Sequence, residues 1–150
     1  MKNIVFHILI ILIFAGTSNS TGQCQVLLWQ DEFESDTRNT EKWNVELDNS
    51  GGGNNELQFY TPRDTNVFVQ DGKLVIRALE EEFGNRNYTS AKITTRGIAD
   101  WRYGRVEAKI RLPQGQGMWP AFWMMPAENI YGGWPASGEI DIMEMVGLAP

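Results

Sequence analysis

Glu139, Asp141 and Glu144 set three carboxylates within six residues, in a stretch from Glu139 to Val146 that is otherwise apolar. Acids this close repel one another and lose hydration among Ile and Met, so the run is a candidate for using their charge or their protons. Two carboxyl groups flanking a glycosidic bond can hydrolyse it if one is ionised and the other keeps its proton. In the retaining version the first attacks the sugar carbon and the second protonates the leaving oxygen; in the inverting version the pair stands further apart and admits a water. A third acid between the outer two raises the cost of ionising all three together. Calcium ligation and a solvated charged face are the competing readings. Calcium usually takes its acids from loops with carbonyl oxygens to hand, and a solvated face has no need of Ile and Met neighbours.

Spacing narrows the element that must position these acids. In a regular strand Glu139 and Asp141 share a face while Glu144 points away. A helix does worse, since five residues at about 100° each turn Glu144 some 140° from Glu139. A β-bulge at Ile142-Met143 returns Glu144 to the face of Glu139 and Asp141 and sends Ile140, Ile142 and Met145 towards a core. Four regular steps plus a bulge separate the outer Cα atoms by up to about 13 Å at 3.3 Å per residue, so the glutamates must lean inward over a curved sheet. Spacing alone leaves both retaining and inverting distances open.

The rest of the chain reads as short strands and turns. Leu27-Leu28-Trp29 reads as a strand leaving into a turn at Asp31, and Lys42 to Glu46 as a second. Gly51 to Pro62 is rich in glycine and amides, which suits either a plain surface loop or a backbone lying close to a ligand. Val67 to Gln70, Asp71-Gly72 and Lys73 to Ala78 form the clearest hairpin, because Asp-Gly tolerates the positive φ angles of a two-residue turn. Glu80 to Asn87 reads as a polar excursion. Ser90 to Thr95 and Gly104 to Leu112 are expected strands, the latter half-buried with Val106, Ala108, Ile110 and Leu112 on one face. Met118 to Met125 is an apolar run with Trp119 and Trp123 on one side. No segment carries a helical period, so the expected class is an all-β sandwich or barrel of one domain.

The N-terminus has a different layout. Lys2, the apolar run Ile4 to Ala15 and the small polar residues Gly16 to Gly22 match a secretory signal peptide over residues 1–24, too short to span a bilayer. The mature part is then 25–150, secreted, with cleavage between Ser18 and Gln25. Cys24, the only cysteine, supports neither a disulfide framework nor a metal cluster. Of 13 basic residues the signal removes Lys2, leaving 12 against 19 acidic and a mature charge of about −7. Such a surface repels nucleic acid and anionic membranes and favours a neutral partner. Six Trp, all beyond the signal, supply aromatic faces for sugar rings, with core packing as the competing use.

Glu139-Ile140-Asp141-Ile142-Met143-Glu144 resembles the bulged signature of glycoside hydrolase family 16. So do Trp134-Pro135-Ala136-Ser137-Gly138, Asn54 to Thr61, Tyr88 to Ala91, Tyr103 to Ala108 and Gly117 to Met124, in order along the chain. Together they resemble the endo-β-1,3-glucanases, or laminarinases, of that family. The resemblance implies a β-jelly-roll of two curved antiparallel sheets, with a glycan groove on the concave face. It implies retaining hydrolysis with Glu139 as nucleophile, Glu144 as general acid/base and Asp141 supporting the nucleophile. By the same matching Trp119, Trp123 and Trp134 line the groove and Asn55 bonds sugar hydroxyls. The implied partner is a β-glucan acted on by a monomer; no cofactor is required, and a structural calcium on the convex side is compatible, with no ligands assigned. A mixed-linkage β-1,3-1,4-glucanase and a non-catalytic glycan-binding sandwich are the alternatives.

Two departures accompany the match. Lys92 stands where related laminarinases often carry Arg, which removes the planar fork used for bidentate contacts. The family's domain also continues beyond the catalytic strand, so the resemblance implies that the strands flanking it are missing from these 150 residues. A polypeptide of residues 25 to 150 alone is therefore expected to lack a cooperative thermal transition and to leave laminarin intact; cooperative unfolding together with turnover is the contrary result.

Overall fold

The structure, a computed structural model, describes residues 26–147. The expected signal segment and Cys24 lie outside the described residues. The chain divides into Met1–Gln30 and Asp31–Pro150. Within the first unit Val26 to Gln30 form no regular element, so the strand expected at Leu27-Leu28-Trp29 is absent there. Apolar residues alone do not make a strand; a ladder partner is needed to take up the backbone N–H and C=O groups.

The second unit is all-β in its described residues. Its strands are β1 (Asn44–Val45), β2 (Gln58–Tyr60), β3 (Val67–Gln70), β4 (Lys73–Ile76), β5 (Leu79–Phe83), β6 (Arg86–Ser90), β7 (Ile93–Thr94), β8 (Ala121–Met124) and β9 (Ile140–Glu144). They pair as β1-β7, β2-β6-β5, β3-β4 and β8-β9. All pairs are antiparallel except β2 with β6, which runs parallel. The hairpin β3-β4 forms as expected, with Asp71 and Gly72 at φ of 51° and 65°. That backbone twist matches the twist of the flanking strands.

Three expectations are corrected. Glu80 to Asn87 is not an excursion: β5 and β6 form a hairpin there around Gly84-Asn85, with Phe83 opposite Arg86. Its acidic side chains alternate with inward ones, Leu79, Glu81 and Phe83 being the less exposed set. Ser90 to Thr95 is divided, because β6 ends at Ser90 and β7 begins at Ile93. Gly104 to Leu112 forms no ladder, and Gly104 to Arg111 are exposed. Alternation specifies the face that a strand would bury, but no described residue supplies the neighbouring strand that would hold it.

Buried apolar side chains are few among the described residues, Val67 being fully covered and Ala91 nearly so, while Thr61, Asn66 and Thr89 are wholly buried polar groups. These three form a bonded knot. Asn66 Oδ1 accepts from Thr61 Oγ1 at 2.5 Å and from Arg63 Nη2 at 2.9 Å, while its Nδ2 donates to Thr89 Oγ1 at 2.9 Å and to the Arg77 carbonyl at 3.1 Å. Arg63 also bonds Glu81 and lies 4.4 Å from the Phe83 ring centroid, and Phe83 meets Phe59 edge-on at 5.1 Å. The knot thereby ties the chain after β2, the start of β3, β5 and β6 together. Burial without such partners would cost each polar group on the order of 1–3 kcal/mol.

Replacing Asn66 by Ala leaves Thr61, Thr89 and the Arg77 carbonyl short of partners, and is expected to lower the unfolding free energy by about 2–4 kcal/mol in urea. The Thr89 hydroxyl and then Arg63 hold the Glu81 carboxyl below its ordinary 4.5. A lowered folded-state value gives stability that is present above the unfolded value and is lost as pH falls through the folded one. The gap between the protein and its Glu81→Gln form is thus expected to be open at neutral pH and to close below about pH 4.5, read as denaturation midpoints across pH.

Candidate active site

Strand β9 carries Asp141 and Glu144 and pairs with β8. Ala121 pairs with Glu144, Phe122 with Met143, Trp123 with Asp141 and Met124 with Ile140. The register shifts between Phe122 and Trp123, so Ile142 is the extra residue on β9, within the pair where a bulge is expected. Residues directly opposite across an antiparallel pair share a face. Ala121 and Trp123 lie two apart on β8, so Asp141 and Glu144 are brought to one side of the hairpin. Glu139, one residue before β9 and two before Asp141, continues the same alternation and is exposed. The ladder runs on past the strand ends, with Met145 N donating to Pro120 O at 3.1 Å, Gly147 N to Met118 O at 2.8 Å and Gly117 N to Gly147 O at 2.9 Å.

The tryptophans divide by position. Trp119 continues the face of Ala121 and Trp123, and its indole Nε1 donates to Glu144 Oε1 at 2.8 Å. Trp123 is half-buried opposite Asp141. The Lys92 ammonium lies 5.1 Å from the Trp123 ring centroid and 3.3 Å from Glu46 Oε2. Trp134 is 59% exposed on the turn before β9, whose Ala136 N donates to Gly133 O at 2.9 Å. Asn55 has a φ of 56° on the turn from Gly51, where Glu56 N donates to Gly51 O at 3.0 Å. Among the described residues no hydrogen bond links Asn55 or Trp134 to the three acids. The structure therefore joins Trp119 and Trp123 to the carboxylate face and leaves Asn55 and Trp134 on turns.

One expectation on this hairpin is corrected. Ile140 and Ile142, expected towards a core, are 63% and 38% exposed. A strand buries its second face only against another layer, which no described residue supplies here. Among the described residues, moreover, no three His, Cys, Asp or Glu side chains gather so as to hold a metal ion. The acids of β9 are thus not such a group.

Glu46 is a site neighbour that sequence reasoning missed. It faces Lys92 because β1 and β7 pair Asn44 with Thr94 and Val45 with Ile93, and Glu46 N donates to Lys92 O at 2.9 Å in the next step. The signal exists only once that register is known, for nothing local connects two residues so far apart in the chain.

An all-β fold whose bulged strand turns closely spaced acids to one side, beside tryptophans, defines the class of the β-sheet glycoside hydrolases. Residues 54–150 match the family model described as Glycosyl hydrolases family 16, and the chain belongs to that family. It is 50% identical over 128 residues to a beta-glucanase from Rhodothermus marinus, covering 83% of this chain and 45% of that protein. It is also 50% identical over 131 residues to a glucan endo-1,3-beta-glucosidase from Cryptopygus antarcticus, covering 83% of this chain and 47% of the relative. The X-ray structure of the laminarinase from Rhodothermus marinus superposes with a TM-score of 0.79 at 48% identity, over 83% of this chain and 51% of the other. The chain thus spans about half the length of these relatives, and its all-β architecture is that of their jelly-roll.

The Glu46–Lys92 pair and the Lys92–Trp123 contact are both partly exposed, which limits each to about 0.5–1 kcal/mol. A double-mutant cycle of Glu46→Gln with Lys92→Met, by urea denaturation, is expected to give a coupling of about 0.5 kcal/mol, and Lys92→Met alone to alter the fluorescence of Trp123. Strict additivity and an unchanged spectrum are the contrary outcome.

Proposed function

We propose that the protein to which these residues belong is an endo-acting β-1,3-glucanase that works by retaining double displacement, and that this chain carries its reacting groups. The observation that carries the reading is the β8-β9 register: a single extra residue at Ile142 sets Asp141 and Glu144 on the face of Trp119 and Trp123. The name of the Cryptopygus antarcticus relative, a glucan endo-1,3-beta-glucosidase at 50% identity, supports the β-1,3-glucan as substrate.

In the reading proposed, a Glu139 carboxylate oxygen attacks the anomeric carbon while the glycosidic C–O bond breaks and the Glu144 proton passes to the leaving oxygen. A water then attacks the same carbon, gives its proton to Glu144, and the ester bond to Glu139 breaks with its electron pair returning to the carboxylate. Asp141, between them on the same face, supports the charge and orientation of Glu139. Trp123 and Trp134 offer faces to sugar rings, and Asn55 an amide to sugar hydroxyls. No cofactor enters either step. Residues 1–24 are proposed to export the protein, which meets its neutral polysaccharide outside the cytoplasm as a monomer.

The test uses the full-length protein. Glu139→Gln is expected to lower turnover of laminarin by about three orders of magnitude or more with KM little changed, since the lost group acts in the transition state. Equal activity of the two forms removes the assignment of Glu139 as nucleophile, and no turnover by either form leaves the glycan-binding sandwich. Proton NMR during early digestion is expected to show the β-anomer of the new reducing end first; the α-anomer first overturns the retaining step.

A further inference from the structure

We infer that Trp119 is a positioning residue for Glu144: its indole N–H fixes Glu144 Oε1 as an acceptor, so that the transferable proton is carried on Oε2. The inference rests on the reading of Glu144 as the acid/base and goes beyond it by assigning the two carboxyl oxygens to different tasks and Trp119 to something other than a sugar platform.

Local geometry leads to this contact. Ala121 is the residue directly opposite Glu144, and Trp119 lies two positions further along, diagonal to it. Diagonal neighbours on one face are about 7–8 Å apart at Cα, within reach of a Trp and a Glu and beyond most shorter pairs. A small side chain at Ala121 leaves the space between them open. The backbone on both sides of Trp119 is pinned, since Met118 O and Pro120 O accept from Gly147 N and Met145 N at 2.8 and 3.1 Å. Pro120 also restricts Trp119 to an extended conformation, which turns its ring to the Ala121 and Trp123 side. The indole N–H then meets Oε1 at 2.8 Å.

Chemistry follows from the indole being a donor only. An oxygen that accepts from it offers a lone pair there, which favours the carbonyl oxygen of the protonated acid over its hydroxyl. The proton is left on Oε2, the oxygen free to face a glycosidic bond. When that proton leaves, the carboxylate formed keeps a donor already in place, so the bond strengthens as charge develops. The reverse transfer from water returns the proton to Oε2. With 45% of Trp119 exposed, the bond is partly screened by water, and its loss is expected to cost about tenfold in turnover and not more than about a hundredfold.

The decisive comparison is Trp119→Phe, which keeps a ring and removes the N–H, in the full-length protein on two substrates. Laminarin has a poor leaving group that needs the proton; a 2,4-dinitrophenyl β-laminaribioside has one that does not. We expect kcat on laminarin to fall about tenfold with KM changed less than about twofold, and the first-turnover burst of dinitrophenol, which precedes the step in which Glu144 acts as base, to stay within about twofold of the unmodified protein in rate. Equal losses on both substrates, or a loss confined to KM, overturn the inference in favour of a sugar platform or a structural role. An unmodified protein that leaves laminarin intact, or a Glu144→Ala form that is fully active on it, defeats the proposed function itself. Should Trp119→Phe not fold, the indole N–H groups labelled with nitrogen-15 provide the second readout: one of them is expected to lose protection from solvent exchange in Glu144→Ala, and no change in any of them overturns the inference.

Discussion

A strand presents the same face every second residue, and acids at 139, 141 and 144 break that period by one. Their use as a set depends on a place in β9 that can hold one residue too many without losing its pairing with β8. The structure meets this at Ile142, between the Asp141–Trp123 and Met143–Phe122 pairs. A regular register would turn Glu144 to the side of Ile140 and move it away from both Trp119 and Ala121. The same inserted residue therefore decides three things together: the face of the second glutamate, its indole partner, and the small residue opposite that leaves room for the contact.

The hairpin that carries the acids is fastened differently from the sheet beside it. Around β2, β3, β5 and β6 the closure is polar, with the fully buried Asn66 bonding the buried Thr61 and Thr89 and also Arg63 and the Arg77 carbonyl. Every bond in that knot has a definite direction, so it fixes register as well as proximity, which a patch of interchangeable aliphatic side chains does less strictly. On the site side, Lys92 is shared between Glu46 and Trp123. An ammonium suits that place because it acts as a compact charge that serves a carboxylate and a ring at once, whereas a guanidinium is built for planar, two-pronged contacts. Lys92 thus has a visible local use at a position where it lacks the fork of an arginine.

Much of the site was legible in the sequence because its signals are local. Period-two geometry and the five-residue step from Glu139 to Glu144 demand a bulge, and the Asp71-Gly72 turn demands a hairpin; both formed where expected. The β5-β6 hairpin was legible too, in Gly84-Asn85, but the run of glutamates before it masked an alternation in which only Glu81 turns inward to Arg63. What could not be read was register between distant segments. The Glu46–Lys92 pair, the parallel run of β2 beside β6 and the Asn66 knot all depend on it. Gly104 to Leu112 shows the converse: a well-formed alternation is a statement about faces, and without a neighbouring strand it leaves extended, exposed chain.

Position in the fold also separates the residues proposed to react from those proposed to select. Asp141 and Glu144 stand on a ladder whose backbone bonds extend from Gly117–Gly147 to Met124–Ile140, and Glu139 directly adjoins its end. Groups that must be held to fractions of an ångström gain most from such support. Asn55 and Trp134 occupy turns, at a positive φ of 56° in one case and with a 59% exposed ring in the other. Turns tolerate exchange and adjustment, which suits groups that meet a sugar hydroxyl or face at the edge of a site. On the proposed function, bond-breaking geometry is tied to the β8-β9 register, while preference among glucan linkages is free to vary through the turns around it, with Trp119 on the reacting side of that division.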